Sequence, residues 1–89
     1  MRAFITVIGR DAVGILAKVS AVCAEYNVNI VDVTQTVRQD MFCMIMLCEI
    51  DKINNDFSKF SEATSAIGEQ SNLSVHVMHE DIFNSMHRI

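Results

Sequence analysis

The sequence predicts an α+β domain in which four antiparallel strands form one sheet and two helices pack on one of its faces. Short runs rich in β-branched residues alternate with segments of helical periodicity in the order β-α-β-β-α-β. The 89 residues fit a single domain, 1–89, without internal repeats. Right-handed crossovers then place both helices on the same side of the sheet, which is the ferredoxin-like arrangement.

The composition favours a self-associating cytoplasmic protein over a nucleic-acid or membrane protein. Hydrophobic residues make up 51% of the chain, more than a small domain easily buries, so we expect a homodimer or a higher homo-oligomer. The net charge of -4 repels polyanions, so nucleic acid is not an expected partner. No apolar run reaches the roughly 18 residues that span a membrane, and the first residues lack signal-peptide features.

The first half of the chain predicts a strand, a turn and a helix. Residues 2–8 form a short run rich in β-branched side chains that leads into Gly9-Arg10-Asp11. Asp11 is the predicted N-cap of the helix, and Asn27 is predicted to end it in the left-handed conformation. One apolar stripe follows helical spacing: Ile15, Leu16, Val19, Val22, Cys23 and Tyr26.

The second half predicts a hairpin, a second helix and a last strand. Residues 30–37 and 42–50 are β-rich and are joined by a connection of hairpin length. Asn55 or Asp56 is expected to cap a second helix whose apolar stripe is Phe57, Phe60, Ala63, Thr64 and Ile67. Residues 73–79 alternate as a half-buried strand does, and residues 80–89 predict a short C-terminal helix.

The third strand carries apolar side chains on both of its sides. Phe42, Met44, Met46 and Ile50 share one side, and Cys43, Ile45 and Leu47 share the other. The two helices cover only one face of the sheet, so something else must cover the second. The C-terminal helix, the sheet of a second subunit, or both could do so.

The sequence contains no recognisable catalytic or metal-binding constellation. The three cysteines, Cys23, Cys43 and Cys48, are set among aliphatic residues and are interpreted as small buried hydrophobic side chains. His76 and His79 are three residues apart, a spacing that points two strand residues to opposite faces and disfavours a shared metal ion. No serine, threonine or cysteine is followed or preceded by a histidine at a spacing that would predict a nucleophile and its general base. We therefore expect no enzyme activity, no metal and no cofactor.

The turn at Gly9 to Gly14, between the first strand and the first helix, is the candidate ligand site. Free amides and the positive end of the helix dipole converge at a helix N-terminus, which suits an anionic group. Gly14 is predicted within the first helical turn, where a glycine costs about 1 kcal/mol of helix stability. Close approach of a ligand would explain this glycine, and so would tight packing of the helix on the sheet.

Polar residues gather in the predicted second strand, and Gln35 is the most informative of them. It alternates with Val31, Val33 and Val37, so its amide is expected on their apolar face. A buried amide without a hydrogen-bond partner costs about 1 to 3 kcal/mol. Gln35 is therefore expected to contact a ligand or a second subunit, or to be satisfied by backbone at the margin of the sheet.

Two stretches of the sequence resemble the ACT-domain family of small regulatory modules. They are GRDAVGILAKVSAVCAEYNVNIVDVTQT, which is similar also to the modules of the glycine-cleavage repressor, and VMHEDIFNSMHRI, which resembles the tail of free-standing members. The resemblance implies a single ACT-like βαββαβ domain, paired subunits, and an amino acid bound at the mouth of the first loop near a dimer interface. The ligand-facing positions that it implies are Arg10, Asp11, Val13, Gly14, Asn29 and Ile30.

These observations favour a regulatory module that binds a small molecule, an amino acid by preference. Its α-carboxylate would meet amides at the start of the first helix, and its ammonium would meet Asp11 or a carbonyl. The alternative is an interaction or dimerisation module that docks a partner enzyme without a metabolite. An acylphosphatase-type enzyme also places an arginine in the first loop, but this loop lacks that family's characteristic sequence.

Overall fold

The described residues form four strands and three helices, which follow one another in the predicted order. The computed structural model describes residues 1–10 and 14–86. The strands are β1 (Arg2–Gly9), β2 (Asn29–Arg38), β3 (Met41–Glu49) and β4 (Ser74–His79). The helices are α1 (Ile15–Glu25), α2 (Phe57–Ser71) and the short α3 (Glu80–Met86). The ends of the strands differ from the predicted ends by at most one residue.

The sheet has the strand order β2-β3-β1-β4, and each neighbouring pair is antiparallel. The helices α1 and α2 contact each other, and they also contact β2 and β4 respectively. This arrangement confirms the predicted ferredoxin-like fold. Among the described residues, no helix is both long and apolar enough to cross a membrane.

The core lies between the two helices and one face of the sheet. The two central strands each contribute three fully buried side chains, which are Ala3, Ile5, Val7, Met44, Met46 and Cys48. The helices cover them with Val19, Cys23 and Phe60. The one buried polar side chain of α2, that of Thr64, donates a hydrogen bond of 2.8 Å to the carbonyl oxygen of Phe60. The core therefore buries this polar group without leaving it unsatisfied.

Helix α1 begins later than predicted. Gly14 is its N-cap, with a φ of 75°, and the first helical residue is Ile15. The prediction that Gly14 lies inside the first turn, behind an Asp11 cap, is therefore wrong; Asp11 itself lies outside the described residues. A left-handed N-cap conformation favours glycine, since a Cβ is strained there. Leu16, which was assigned to the apolar stripe, is exposed.

The other end of α1 confirms the prediction for Asn27, which has a φ of 58°. The amide of Val28 donates to the carbonyl oxygen of Cys23 at 2.7 Å, and the amide of Asn27 donates to that of Ala24 at 3.2 Å. This pair of hydrogen bonds is the Schellman motif. It fixes the last turn of α1 above the sheet.

The hairpin of β2 and β3 closes through Gln39 and Asp40, which both have positive φ, as a type I′ turn requires. A β-bulge between Ile30 and Asp32 interrupts the pairing of β2. Gln35 lies opposite Met44 on the face that carries the helices, yet it is exposed. The prediction of a buried Gln35 amide is therefore wrong, because β2 is an edge strand whose residues 34–38 are all exposed.

The face of the sheet opposite α1 and α2 carries an apolar stripe; we call it the open face. Its half-buried side chains on β3 are Cys43, Ile45 and Leu47, and Ile8 of β1 is 45% exposed. This observation confirms that β3 is apolar on both sides. Helix α3 contacts β1 and β4 and is attached to the sheet by an ion pair between Arg2 and Glu80.

The attachment of α3 is expected to weaken in acid. Arg2 Nη2 lies 2.5 Å from Glu80 Oε1, and its hydrogen bond holds the pKa of the Glu80 carboxyl below its ordinary value of 4.5. A carboxyl whose pKa is lower in the folded state stabilises that state above the ordinary pKa, and this contribution is lost as pH falls through the lowered pKa. We expect Glu80→Gln to lower the thermal midpoint at pH 7 and to match the unchanged protein at pH 2.

The measurement is the thermal midpoint of both proteins at a series of pH values. Asp81→Asn is the control, because Asp81 adjoins Glu80 in the same turn and is exposed, while its carboxylate lies 3.7 Å from His79 and the partner of Arg2 is Glu80. A difference between wild type and Glu80→Gln that is the same at pH 7 and pH 2 would contradict the role of the ion pair.

Candidate functional site

The end of β1 opens into a cleft of about 690 Å³, which we call the upper cleft. It forms where β1 ends, β4 begins and α2 finishes. Its lining residues are Ile8, Gly9, Arg10, Met41, Gly68, Glu69, Ser71, Asn72, Leu73 and Ser74. The cleft therefore adjoins the predicted loop site on the side of Gly9 and Arg10.

Glycine occupies the two ends of this loop, Gly9 and Gly14, for different structural reasons. A Cβ on Gly9 would lie 1.8 Å from Cδ2 of Leu73, so the side chain of Leu73 packs directly against Gly9. A Cβ on Gly14 would lie within 4 Å of no heavy atom from elsewhere in residues 1–10 and 14–86, so the positive φ is the reason for this glycine. The side chain of Leu73, by contrast, fills the space beside Gly9.

The upper cleft carries charges of both signs. Arg10 is exposed at the end of β1, and Glu69 is exposed near the end of α2. Within the described part of the chain, neither of them forms an ion pair. A guanidinium and a carboxylate in one cleft suit a zwitterion, because each can bind the oppositely charged end.

Glu69, Ser71 and Asn72 are cleft residues that sequence reasoning missed. They come from a part of the chain about 60 residues away from the first loop. The antiparallel register of β1 and β4 brings them there, since Ile8 pairs with Ser74. The signal available in the sequence was the predicted strand order, which places the segment before β4 beside the end of β1.

A second cleft, of about 480 Å³, lies at the opposite end of the sheet; we call it the lower cleft. Its lining residues are Ala24, Asn27, Val28, Asn29, Glu49, Asp51 and Lys52. The side-chain amide of Asn27 donates a hydrogen bond of 2.8 Å to the carbonyl oxygen of Lys52. Asn29 is exposed at the start of β2 and is available to a ligand in this cleft.

The two clefts are too far apart for one small ligand to contact both in a single chain. Asn29 and Arg2 both pair with Glu49, whereas Gly9 pairs with Phe42 at the other end of β3. The eight residues of β1 therefore separate the clefts by roughly 23 Å. A free amino acid spans much less than this distance.

His76 and His79 do not lie together in a metal site. His76 pairs with Thr6 on the open face, while His79 lies on the other face, where its ring meets that of Phe57 edge-on at 6.3 Å. In the ranges that the structure describes, no three side chains among His, Cys, Asp and Glu are grouped closely enough to hold a metal ion.

Comparison with known proteins decides the family. The model of the ACT domain matches residues 2–78. The chain belongs to the ACT-domain family. It is 52% identical over 88 residues to a UPF0237 protein of Methanosarcina acetivorans, and the match covers 99% of this chain and 96% of that protein. ACT domains are regulatory modules that generally bind amino acids.

Solved structures agree with this membership. An ACT domain protein from Streptococcus pneumoniae superimposes with a TM-score of 0.79 at 36% identity, covering 93% of each chain. A protein described as a glycine cleavage system transcriptional repressor has a TM-score of 0.67 at 23% identity, covering 89% of this chain and 47% of that one. The second likeness concerns the fold alone.

The positions that the ACT resemblance implied fall into three groups. Arg10 and Gly14 lie at the upper end of the sheet, and Asn29 and Ile30 lie at the lower end, where Ile30 is half-buried against the core. Asp11 and Val13 lie outside the described residues. Gln35 lies between the two ends on the exposed edge strand. Among its described candidate residues, this ACT domain does not bring Arg10 and Gly14 together with Asn29 and Ile30 within one chain.

Proposed function

We propose that this ACT domain is a homo-oligomeric regulatory module that binds an amino acid between the upper cleft of one subunit and the lower cleft of another. One observation supports the proposal above all others. The implied ligand-facing residues lie at opposite ends of the sheet, so a site that uses both groups needs two chains. The opposite charges in the upper cleft are consistent with a zwitterionic ligand.

In this proposal each end of the ligand has a chemically matched partner. The guanidinium of Arg10 and the free amides that follow Gly14 bind the α-carboxylate. The carboxylate of Glu69 binds the ammonium. Asn29 of the second subunit closes the site from the other side with a side chain that both donates and accepts hydrogen bonds.

The edge strand β2 supports a pairing of this kind. It lies at the edge of the sheet, eight of its ten residues are exposed, and it leaves unpaired backbone groups on its outer side. Two such edges can pair antiparallel about a two-fold axis, which brings the upper end of one sheet beside the lower end of the other. A ligand that contacts both subunits would then stabilise the dimer, and this shift in association is the regulatory output that we propose.

Isothermal titration calorimetry against the twenty amino acids tests the proposal. We expect at least one to bind, and we expect Arg10→Ala to weaken that binding by roughly 10- to 100-fold, since a hydrogen bond to a charged group contributes about 1.5 to 3 kcal/mol. Lys59→Ala is the control. It removes one positive charge at an exposed position of α2 that lines neither cleft and does not lie on β2, and binding should be unchanged.

A mixing experiment tests whether the site is shared. Arg10→Ala and Asn29→Ala should each bind poorly alone. Mixed in equal amounts and allowed to exchange, they should regain about one quarter of the wild-type sites, because each mixed dimer contains one intact site. If no binding returns although subunits exchange, the site does not span two chains. If no amino acid binds the wild-type protein at millimolar concentration, the proposed ligand class is wrong.

The open face favours a second candidate function, an interaction module without a metabolite. Cys43, Ile45 and Leu47 of β3 are apolar and only half-buried there, and Ile8 and Met41 are exposed. A sheet face of this kind suits protein contact. The same titrations separate the two functions: a stable oligomer that binds none of the twenty amino acids would support the interaction module.

A further inference from the structure

The regular part of β2 is a palindrome centred on Gln35. Between the β-bulge after Ile30 and the turn at Gln39, residues 32–38 read DVTQTVR. Threonines flank Gln35 at one residue and valines at two, while an aspartate and an arginine stand three residues away on opposite sides. When two copies of a strand pair antiparallel about a two-fold axis, each residue faces the one that lies equally far beyond the axis. The palindrome therefore offers matched partners to a second copy.

The backbone groups of Val33, Gln35 and Val37 point outward from the sheet. The two-residue turn makes Arg38 part of a hydrogen-bonded pair with β3. Because such pairs alternate along an antiparallel ladder, the odd-numbered residues of the segment direct their N–H and C=O groups away from β3. The amide of Val33 agrees with this direction, since it donates a hydrogen bond of 2.9 Å to Oδ1 of its neighbour Asp32. A second strand can therefore add only where odd residues face odd residues.

We infer that β2 pairs antiparallel with β2 of a second copy of the chain, with the two-fold axis at Gln35. Each side chain of the segment then lies across from one that suits it: Asp32 from Arg38, Val33 from Val37, Thr34 from Thr36, and Gln35 from Gln35. Opposite charges and pairs of β-branched side chains stabilise antiparallel strands when they lie directly across from each other. Two glutamine amides can also bond to each other, because each both donates and accepts hydrogen bonds.

Moving the axis to a neighbouring residue removes these matches. An axis at Thr34 leaves Asp32 facing a threonine and Gln35 facing a valine. An axis at Thr36 brings Asp32 across from Asp40 of the turn, and like charges in that position are destabilising. The axis at Gln35 is therefore the register that the side chains favour.

The groups that the single chain leaves uncovered are the ones that this register covers. Val37 is 70% exposed, and Gln35 is exposed on the face that carries the helices. In the part of the chain that the structure describes, Asp32 and Arg38 belong to no ion pair. In the dimer the amide of Val33 donates to the carbonyl oxygen of Val37 in the second chain. The carboxylate of Asp32 is thereby released to bind Arg38 of that chain.

The register also states how the second chain reaches the upper cleft. It carries the start of the second β2, with Asn29, past the turn of the first chain at Gln39 and Asp40. That turn leads into Met41, which lines the upper cleft. The inference thus deepens the two-chain site of the proposed function and rests on its dimer, but the pairing itself requires no ligand.

Single cysteines on β2 locate the axis. Thr34→Cys, Gln35→Cys and Thr36→Cys are each made with Cys43→Ser, which removes the half-buried thiol of the open face, and are oxidised with copper phenanthroline. Only a residue on the axis faces its own copy, with Cα atoms about 5.5 Å apart, within reach of a disulfide. The copies of residue 34 or 36 are roughly 8 Å apart, which is too far. Gln35→Cys should therefore form covalent dimers at least about 10-fold faster than the other two.

A charge exchange tests the same register without cysteines. Arg38→Asp should raise the dissociation constant of the dimer roughly 10-fold, because it places like charges across from each other at two positions. Adding Asp32→Arg to the same chain should restore the wild-type value, since opposite charges then face each other again. Sedimentation equilibrium measures both constants, and circular dichroism verifies that each variant is folded.

The possible failures are distinguishable from one another. Faster cross-linking at residue 34 or 36 overturns the register but leaves the dimer of the proposed function standing. A dimer that none of the three cysteines cross-links overturns β2 as the interface. A chain that stays monomeric at millimolar concentration overturns the inference and that dimer together. Cross-linking at residue 35 in a protein that binds no amino acid would support the register and contradict only the proposed ligand.

Discussion

Replacing Phe60 with alanine is expected to lower the free energy of unfolding by about 3 to 5 kcal/mol, the range observed for deletion of buried aromatic rings. Phe60 is fully buried at the centre of the core. Its ring centroid lies 5.6 Å from that of Tyr26 and 6.3 Å from that of Phe57. Because domains of this size are stable by only about 5 to 15 kcal/mol, the variant should be close to unfolding at 25 °C.

Urea denaturation followed by circular dichroism measures this effect. Phe60→Leu is the companion variant, which keeps most of the volume and should fold with a smaller loss. Phe57→Ala is the matched control, since Phe57 lies in the same helix but is only half-buried, and its loss should also be smaller. An unfolding free energy for Phe60→Ala within 1 kcal/mol of wild type would show that Phe60 is not central to the core.

Replacing Gly68 with alanine is expected to lower the free energy of unfolding by about 2 kcal/mol, even though alanine is the better helix former. A Cβ at this position would lie 2.7 Å from the carbonyl oxygen of Leu73 and 2.7 Å from Cγ2 of Val75. The first of these atoms belongs to the backbone and cannot move aside by a rotamer change. Helix α2 would therefore have to shift away from β4.

Gln70→Ala is the control for this prediction, because it adds the same residue two positions later in α2 at an exposed site. Its unfolding free energy should stay within about 0.5 kcal/mol of wild type, as is usual for surface positions. If Gly68→Ala proves as stable as Gln70→Ala or more so, the close approach of α2 to β4 does not limit the side chain at Gly68.

The fold was predictable because periodicity reports burial directly. The spacing of Phe60, Thr64 and Ile67 placed α2, and the β-α-β-β-α-β order with right-handed crossovers predicted the sheet. Predictions failed where the backbone departs from the regular pattern. A helix can begin at a glycine or at a residue whose side chain caps the first turn. The sequence alone did not show whether Gly14 or Asp11 is the N-cap of α1.

The site was less predictable than the fold. Gln35 is exposed because β2 is an edge strand that the helices cover only in part. No local sequence pattern predicts how much of a strand a helix covers. Residues of β1, α2 and β4 line the upper cleft together, so the sequence around Glu69 does not by itself predict that Glu69 lines a cleft. Arg10 and Asn29 lie near opposite ends of the sheet, about 23 Å apart by the rise of the eight residues of β1. This separation follows from the strand order and is not visible in any local sequence pattern.

The two edge strands, β2 and β4, differ in length. This difference affects whether chains that pair edge to edge form a closed dimer or an open filament. β2 has ten residues, whereas β4 has six and leads directly into α3. Pairing β2 with β4 of a neighbour would be heterologous and would propagate into an open filament. Pairing β2 with β2 is isologous and stops at two chains. The short β4, followed at once by a helix, offers little length for the first mode, so the fold itself favours closure over fibre growth.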